Sequence, residues 1–140
     1  MINYFDGEYY FLSNFYPCEV VFEGLSFKSS EAAFQAMKTN DLEQRLKFTT
    51  LNSNEAKKLG RKIALRKDWE QIKDSIMFQI VRAKFHQHGD LCRKLIATGD
   101  EELVEGNWWN DFYWGQCNGV GKNKLGKILM IVREELRSEV

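Results

Sequence analysis

Apolar and polar positions change rhythm several times along this chain, and each change marks an element. The first 28 residues are aromatic and β-branched. Val20-Val21-Phe22, Glu23-Gly24 and Leu25-Ser26-Phe27 follow one another there, which predicts a tight hairpin with a two-residue turn. Ser29 or Ser30 is placed to cap a helix that starts at Glu31 and runs on through Lys38. Residues 41–50 read as helical, with Leu42, Leu46 and Phe48 turned inward. Asn52 or Ser53 caps a short helix that Gly60 ends. Asp68 caps the longest helix, from Trp69 to about His88. Its apolar stripe is Ile72, Ile76, Ile80 and Ala83, with Met77 and Val81 alongside. Gly89 closes that helix, and Asp90 starts another that stops at Thr98-Gly99. Leu103-Val104-Glu105 is a strand candidate, and 108–123 reads as an irregular loop. The last helix begins near Lys124 and buries Leu125, Ile128, Leu129, Val132 and Leu136. The sum is α+β and mostly α, in one domain over 1–140.

Composition narrows the function classes. The 140 residues suit one domain. Lys plus Arg is 20 and Asp plus Glu is 20, so the net charge is zero, and a nonspecific nucleic-acid binder normally shows a basic excess. No run of about 18 apolar residues occurs, so no membrane partner is expected. The start of the chain, MINYFDGEYY, lacks the basic-then-apolar order of a signal peptide. Cys18, Cys92 and Cys117 are odd in number and form no CxxC pair, which fits reduced thiols in a cytoplasmic protein.

Four segments carry candidate chemistry. In Phe11-Leu12-Ser13-Asn14-Phe15-Tyr16-Pro17, two polar residues sit between aromatics ahead of a proline. Such a segment can stack on a planar ring and hydrogen-bond its edge; the plainer alternative is a β-bulge with core aromatics. Glu31 lies in a first helical turn, where a carboxylate also simply suits the dipole. Lys38 follows seven residues later, about 10 Å along the same helix face, with Gln35 between them. A substrate along that face meets an acid/base group and a cation; the alternative is a solvated face.

In the third segment, Trp108-Trp109-Asn110-Asp111-Phe112-Tyr113-Trp114-Gly115, one carboxylate stands among rings, a partly desolvated setting that suits proton transfer. Exposed tryptophan is a cost without a ligand, which favours binding over core packing. The fourth runs from Gly115 to Gly126 with glycines before a helix N-terminus, where amides at Gly121–Asn123 favour an anion. His86 and His88 lie about 200° apart around a helix, so they do not chelate one metal, and no Cys/His cluster suggests zinc. Arg61, Arg66 and Arg133 are available for phosphate or carboxylate contacts, though each alone is more often an ion-paired surface group.

Taken together, these segments resemble the YbiA-like, or NADAR, family of N-glycosidases. The matching pieces are FLSNFYP at 11–17, FKSSEAAFQAMK at 27–38, AKKLGR at 56–61 and LRKDW at 65–69. They continue with KF at 84–85, TG at 98–99, LVEGN at 103–107, WNDFYWG at 109–115 and GKNKLGKILM at 121–130. Order and spacing hold from about residue 3 to residue 137. The resemblance implies a compact, mostly helical α+β fold with no cofactor and no metal. It implies cleavage of a ribose C–N bond, either in an ADP-ribosylated nucleobase such as guanine or in a ribosylamino-pyrimidine intermediate of riboflavin synthesis. It nominates Glu31, Asp111 and Lys38 for the chemistry. For binding it nominates Ser13, Asn14, Phe15, Arg61, Trp69, Trp114, Gly115 and Asn123. Two other classes stay open: a module that binds ADP-ribose or a nucleotide without cleaving it, and an interaction protein whose tryptophans face a partner.

Overall fold

The computed structural model describes residues 1–140. It is an α+β structure, mostly helical, with one two-stranded antiparallel sheet. The chain divides into two compact units, one of Asn14–Gln87 and one of Met1–Ser13 with His88–Val140.

The first unit opens with β1 (Pro17–Phe22) and β2 (Leu25–Ser29). Val20 pairs with Phe27, Val21 with Ser26 and Phe22 with Leu25. The turn residues Glu23 and Gly24 both have positive φ, +50° and +77°, the geometry that matches strand twist in a two-residue hairpin. The register shifts between Pro17 and Val20, so the irregularity lies inside β1 itself. The outer edge of β1 is covered by a side chain. The Gln87 amide accepts from the Val21 N–H and donates to the Val21 carbonyl, both at 2.8 Å, as a neighbouring strand would.

Ser29 ends β2 and caps α1 (Ser30–Ala36), its hydroxyl accepting from the Ala32 N–H at 3.1 Å. α2 (Leu42–Lys47) is capped by Asp41 and runs into a 3₁₀ turn, Phe48–Thr50. Here the inward reading needs correcting. Phe48 is buried, but Leu42 and Leu46 are 60% and 46% exposed, because a helix of six residues presents little more than one turn to its neighbours. α3 (Ser53–Gly60) starts with a reciprocal capping box between Asn52 and Glu55. Its buried residues, Ser53, Ala56 and Gly60, are small, which lets it approach α1.

α4 (Trp69–Gln87) is the longest helix. Asp68 does not cap it through its side chain as expected. The Asp68 carbonyl accepts the Gln71 and Ile72 N–H groups, while the carboxylate takes the Arg66 guanidinium in two bonds of 2.7 and 3.1 Å. That pairing holds the Asp68 carboxyl below its usual range. The buried stripe also shifts. Ile72, Ile76 and Ala83 are half-buried, whereas Trp69, Met77, Ile80, Val81, Lys84 and Phe85 are covered.

In the second unit a 3₁₀ segment, Gly7–Leu12, precedes α5 (Gly89–Ala97) and α6 (Lys124–Glu139). Gly99 follows the α5 cap at φ +65°, the left-handed position where glycine ends helices. α6 buries the five apolar residues its spacing predicts, together with Arg133. Arg133 is no ligand cation: its Nη1 donates to Thr98 Oγ1 at 2.9 Å and to the Glu101 carbonyl at 2.8 Å. The expected strand at 103–105 is reduced to an isolated parallel bridge between Leu103 and Ile2. No helix is long and apolar enough to cross a membrane.

Candidate functional site

In the Asn14–Gln87 unit the candidate chemistry collects around the two ends of α1. The helix start is held from outside. The Asn14 carbonyl accepts the Glu31 N–H at 3.0 Å, satisfying one of the four amides that a helix N-terminus leaves open. Asn14 itself is buried, and its amide donates to the Met77 sulfur at 3.3 Å. Phe15 is half-buried. The Ser53 hydroxyl donates to its carbonyl at 3.0 Å, and the Lys57 ammonium lies 5.6 Å from its ring centre.

Glu31 is half-buried in the first turn of α1, and Gln35 Nε2 donates to its Oε2 at 2.9 Å. The helix stops one residue before Met37, so Lys38 stands just past its end and not on a continuous face. The Lys38 carbonyl accepts the Arg66 N–H at 2.8 Å, which fixes the exit. Burial lowers the Lys38 pKa; Glu31 opposes that shift, and Arg61 and Lys57 add to it. Glu31 of α1, Lys57 of α3 and Arg61 just past α3 thus all act on Lys38. Lys57 on α3 and Arg61 just past its end stand about one turn apart, a spacing already visible in AKKLGR, yet only Arg61 was expected from it.

Trp69 is in the same unit but its ring is taken up by the core. It is 4% exposed and tilts against Phe34 with centroids 5.1 Å apart. A separate shallow hollow in this unit, lined by Phe22, Gln79, Arg82, Ala83 and His86, contains none of the nominated residues.

Ser13, Asp111, Trp114, Gly115 and Asn123 belong to the other unit. Ser13 ends the 3₁₀ segment, its N–H donating to the Tyr10 carbonyl at 2.9 Å. Asp111 is clamped by buried Asn107, which bonds both its N–H and its carbonyl, at 3.0 and 2.9 Å. Its Oδ1 accepts from the Tyr113 and Trp114 N–H groups at 3.1 and 2.9 Å. This Asx-type turn stands the rings up. Tyr113 and Trp114 meet edge to face at 4.9 Å, as do Trp108 and Trp109 at 5.5 Å. Trp108 is 82% exposed.

Two of the three amides expected to favour an anion, Lys122 and Asn123, are already bonded. The N–H groups of Lys122, Asn123, Lys124 and Leu125 donate to the carbonyls of Phe112, Gly115, Tyr113 and Trp114. The tryptophan loop therefore caps the start of α6, taking up the Lys124 and Leu125 amides of its first turn. Asn123 is a buried strut at φ +52°, bonding Glu105 N–H and the Leu103 carbonyl through its side chain. Gly115 must lack a Cβ, which would collide with Glu105 and Asn107.

A family model described as the NADAR domain matches residues 3–137. The chain belongs to the NADAR family. N-glycosidase YbiA of Escherichia coli is 39% identical over 145 residues, covering 99% of this chain and 90% of that protein. An N-glycosidase of Nostoc punctiforme is 38% identical over 133 residues, covering 90% of this chain and 85% of that protein. A riboflavin biosynthesis protein of Vibrio vulnificus is 42% identical over 138 residues; the alignment covers 94% of this chain, which spans only 37% of that longer protein. The NMR structure of E. coli YbiA superposes with a TM-score of 0.88 at 38% identity, covering 99% of this chain and 85% of that one. These NADAR relatives bear out the α+β fold and the family that the motifs resemble.

Proposed function

We propose that this chain is an N-glycosidase that hydrolyses a ribose C–N bond, with Glu31 as its principal catalytic carboxylate. The names of its NADAR relatives support the reaction class. The observation that carries the residue assignment is the grouping of Glu31, Lys57 and Arg61 around Lys38, with the Lys57 ammonium over the Phe15 ring. Breaking this bond builds positive charge on the sugar. A half-buried carboxylate stabilises that charge or activates the water that attacks it. Cations grouped around Lys38 suit a substrate whose ribose carries phosphate, and an aromatic ring suits its base.

Both substrate classes implied by the motifs, an ADP-ribosylated nucleobase and a ribosylamino-pyrimidine phosphate, meet those requirements. Lys38 holds phosphate in this scheme. Its alternative role is attack on the anomeric carbon through a ring-opened imine. Asp111 and Trp114 keep the roles that their motif nominates, proton delivery or ribose orientation and base stacking.

The test measures base release from an ADP-ribosylated oligonucleotide and from a ribosylamino-pyrimidine phosphate, with wild type, Glu31→Gln and Asp111→Asn. Glu31→Gln should lose at least a hundredfold in kcat, the usual scale for an acid/base group. Wild-type turnover in a folded Glu31→Gln protein removes the assignment. Tight ADP-ribose binding by a wild type that hydrolyses neither substrate makes the chain a binding module. A borohydride-trapped adduct on Lys38 selects the imine route.

A further inference from the structure

Gln35 is 6% exposed on α1, and its two amide ends are treated differently. Nε2 donates to Glu31 Oε2 at 2.9 Å. Oε1 is buried and has no hydrogen-bond partner. A buried acceptor left in that state costs stability, and a methionine of similar volume would avoid the cost. The arrangement is enforced by packing. A Cβ on Gly60 would collide with the Gln35 Oε1 and Cδ, so the glycine of α3 is the surface the amide lies on. Gly60 therefore has another reason to be there than the helix-ending role its position predicts: it has negative φ, and it is the last residue of α3. Turning the amide over would set Oε1 against the Glu31 carboxylate and lose the bond. The observed orientation gives Glu31 Oε2 a fixed donor.

We propose that Gln35 is a positioning residue, held by Gly60, that keeps the Glu31 carboxylate ionised and in one rotamer for the reaction. The inference rests on the reading of Glu31 given above, and it assigns the unsatisfied Oε1 to function. Such sites often retain a local cost that a purely structural residue would shed. The charged groups that act on Lys38, beyond the end of α1, are Glu31, Lys57 of α3 and Arg61 just past it. Lys38 favours the carboxylate, and all of these groups stay in place when only Gln35 is changed.

The experiment compares wild type with Gln35→Met and Gly60→Ala in three measurements. Thermal melting of Gln35→Met should equal or exceed that of wild type. Its kcat should fall about tenfold with KM within twofold, because the lost bond acts on orientation and not on substrate affinity. The Glu31 carboxyl, followed by ¹³C NMR, should titrate about one pH unit higher. Gly60→Ala should shift kcat and titration the same way, and its effect should vanish in the Gln35→Met background.

An unmoved Glu31 titration in Gln35→Met overturns the proposal. So does a lower melting temperature with unchanged kcat, since that is the signature of a packing residue. If Glu31→Gln keeps full turnover, the activity assignment fails while the titration still decides whether Gln35 holds that carboxylate.

Discussion

Lys84 is a fully buried lysine, and replacing it should stabilise the fold. It lies on α4 at 1% exposure, with its ammonium 5.6 Å from the centre of the Tyr16 ring and 5.1 Å from that of Phe85. Burial lowers its pKa from 10.5 to about 8, with Cys18 pulling the other way. That lowering is worth about 3 kcal/mol in favour of the neutral amine. The two ring contacts favour the ammonium and offset about 0.5–1 kcal/mol each. About 2 kcal/mol therefore remains against the folded state at pH 7.

The sign follows from proton binding. Between pH 8 and 10.5 the unfolded chain binds more protons at this position than the folded one. Wild-type stability therefore rises with pH through that window, and the full penalty stands below it. Lys84→Met keeps the stem and removes the charge. It should raise the melting temperature at pH 7 by about 6–10 °C for a chain of this size. By pH 10 the gain should shrink below about 1 kcal/mol. Thermal melts followed by circular dichroism at pH 7 and pH 10 measure both quantities. A Lys84→Met protein that melts below wild type at pH 7, or whose difference ignores pH, refutes the reasoning; the ammonium would then be a net stabiliser through its ring contacts.

The remaining expectations concern the hairpin and the candidate site. Glu23 occupies the first position of the two-residue turn at φ +50°, which strains a residue other than Gly or Asn. Glu23→Asn should stabilise by about 0.5–1 kcal/mol, read from urea midpoints at unchanged slope; a loss would mean that the Glu23 side chain has a role the turn does not explain. Lys38 has a lowered pKa, so its cationic form should disappear at a lower pH than that of an ordinary lysine. Wild-type KM for a phosphorylated substrate should therefore climb on the alkaline side. Lys38→Gln should raise KM about tenfold at pH 7 and flatten that climb. A pH-dependent KM unchanged by Lys38→Gln assigns the titration to another group.

What the chain determined locally can be read from single segments. The hairpin follows from a Glu-Gly pair between β-branched runs, and its left-handed turn is a backbone property that no distant contact needs to impose. Ser29, Asn52 and Asp41 cap α1, α3 and α2 with side chains one to three residues away, so these starts are legible from residue type alone. α6 shows its buried face because sixteen residues repeat one stripe over four turns. The family motifs carried Glu31 and Lys38 in the same way, as residue types in register.

Tertiary structure decided what a one-dimensional pattern cannot carry. Leu42 and Leu46 have helical spacing, but exposure depends on whether another element lies over them. Lys84 reads as a polar interruption of α4, and only packing made it a buried cation. The amides before α6 look available until the carbonyls of 112–115 are folded onto them. Gly60 reads as a helix terminator, and only the approach of α1 shows that it makes room for Gln35. Caps, turns and stripes are set by neighbours within a few residues, whereas burial, hydrogen-bond availability and pKa depend on groups that folding brings from elsewhere in the chain.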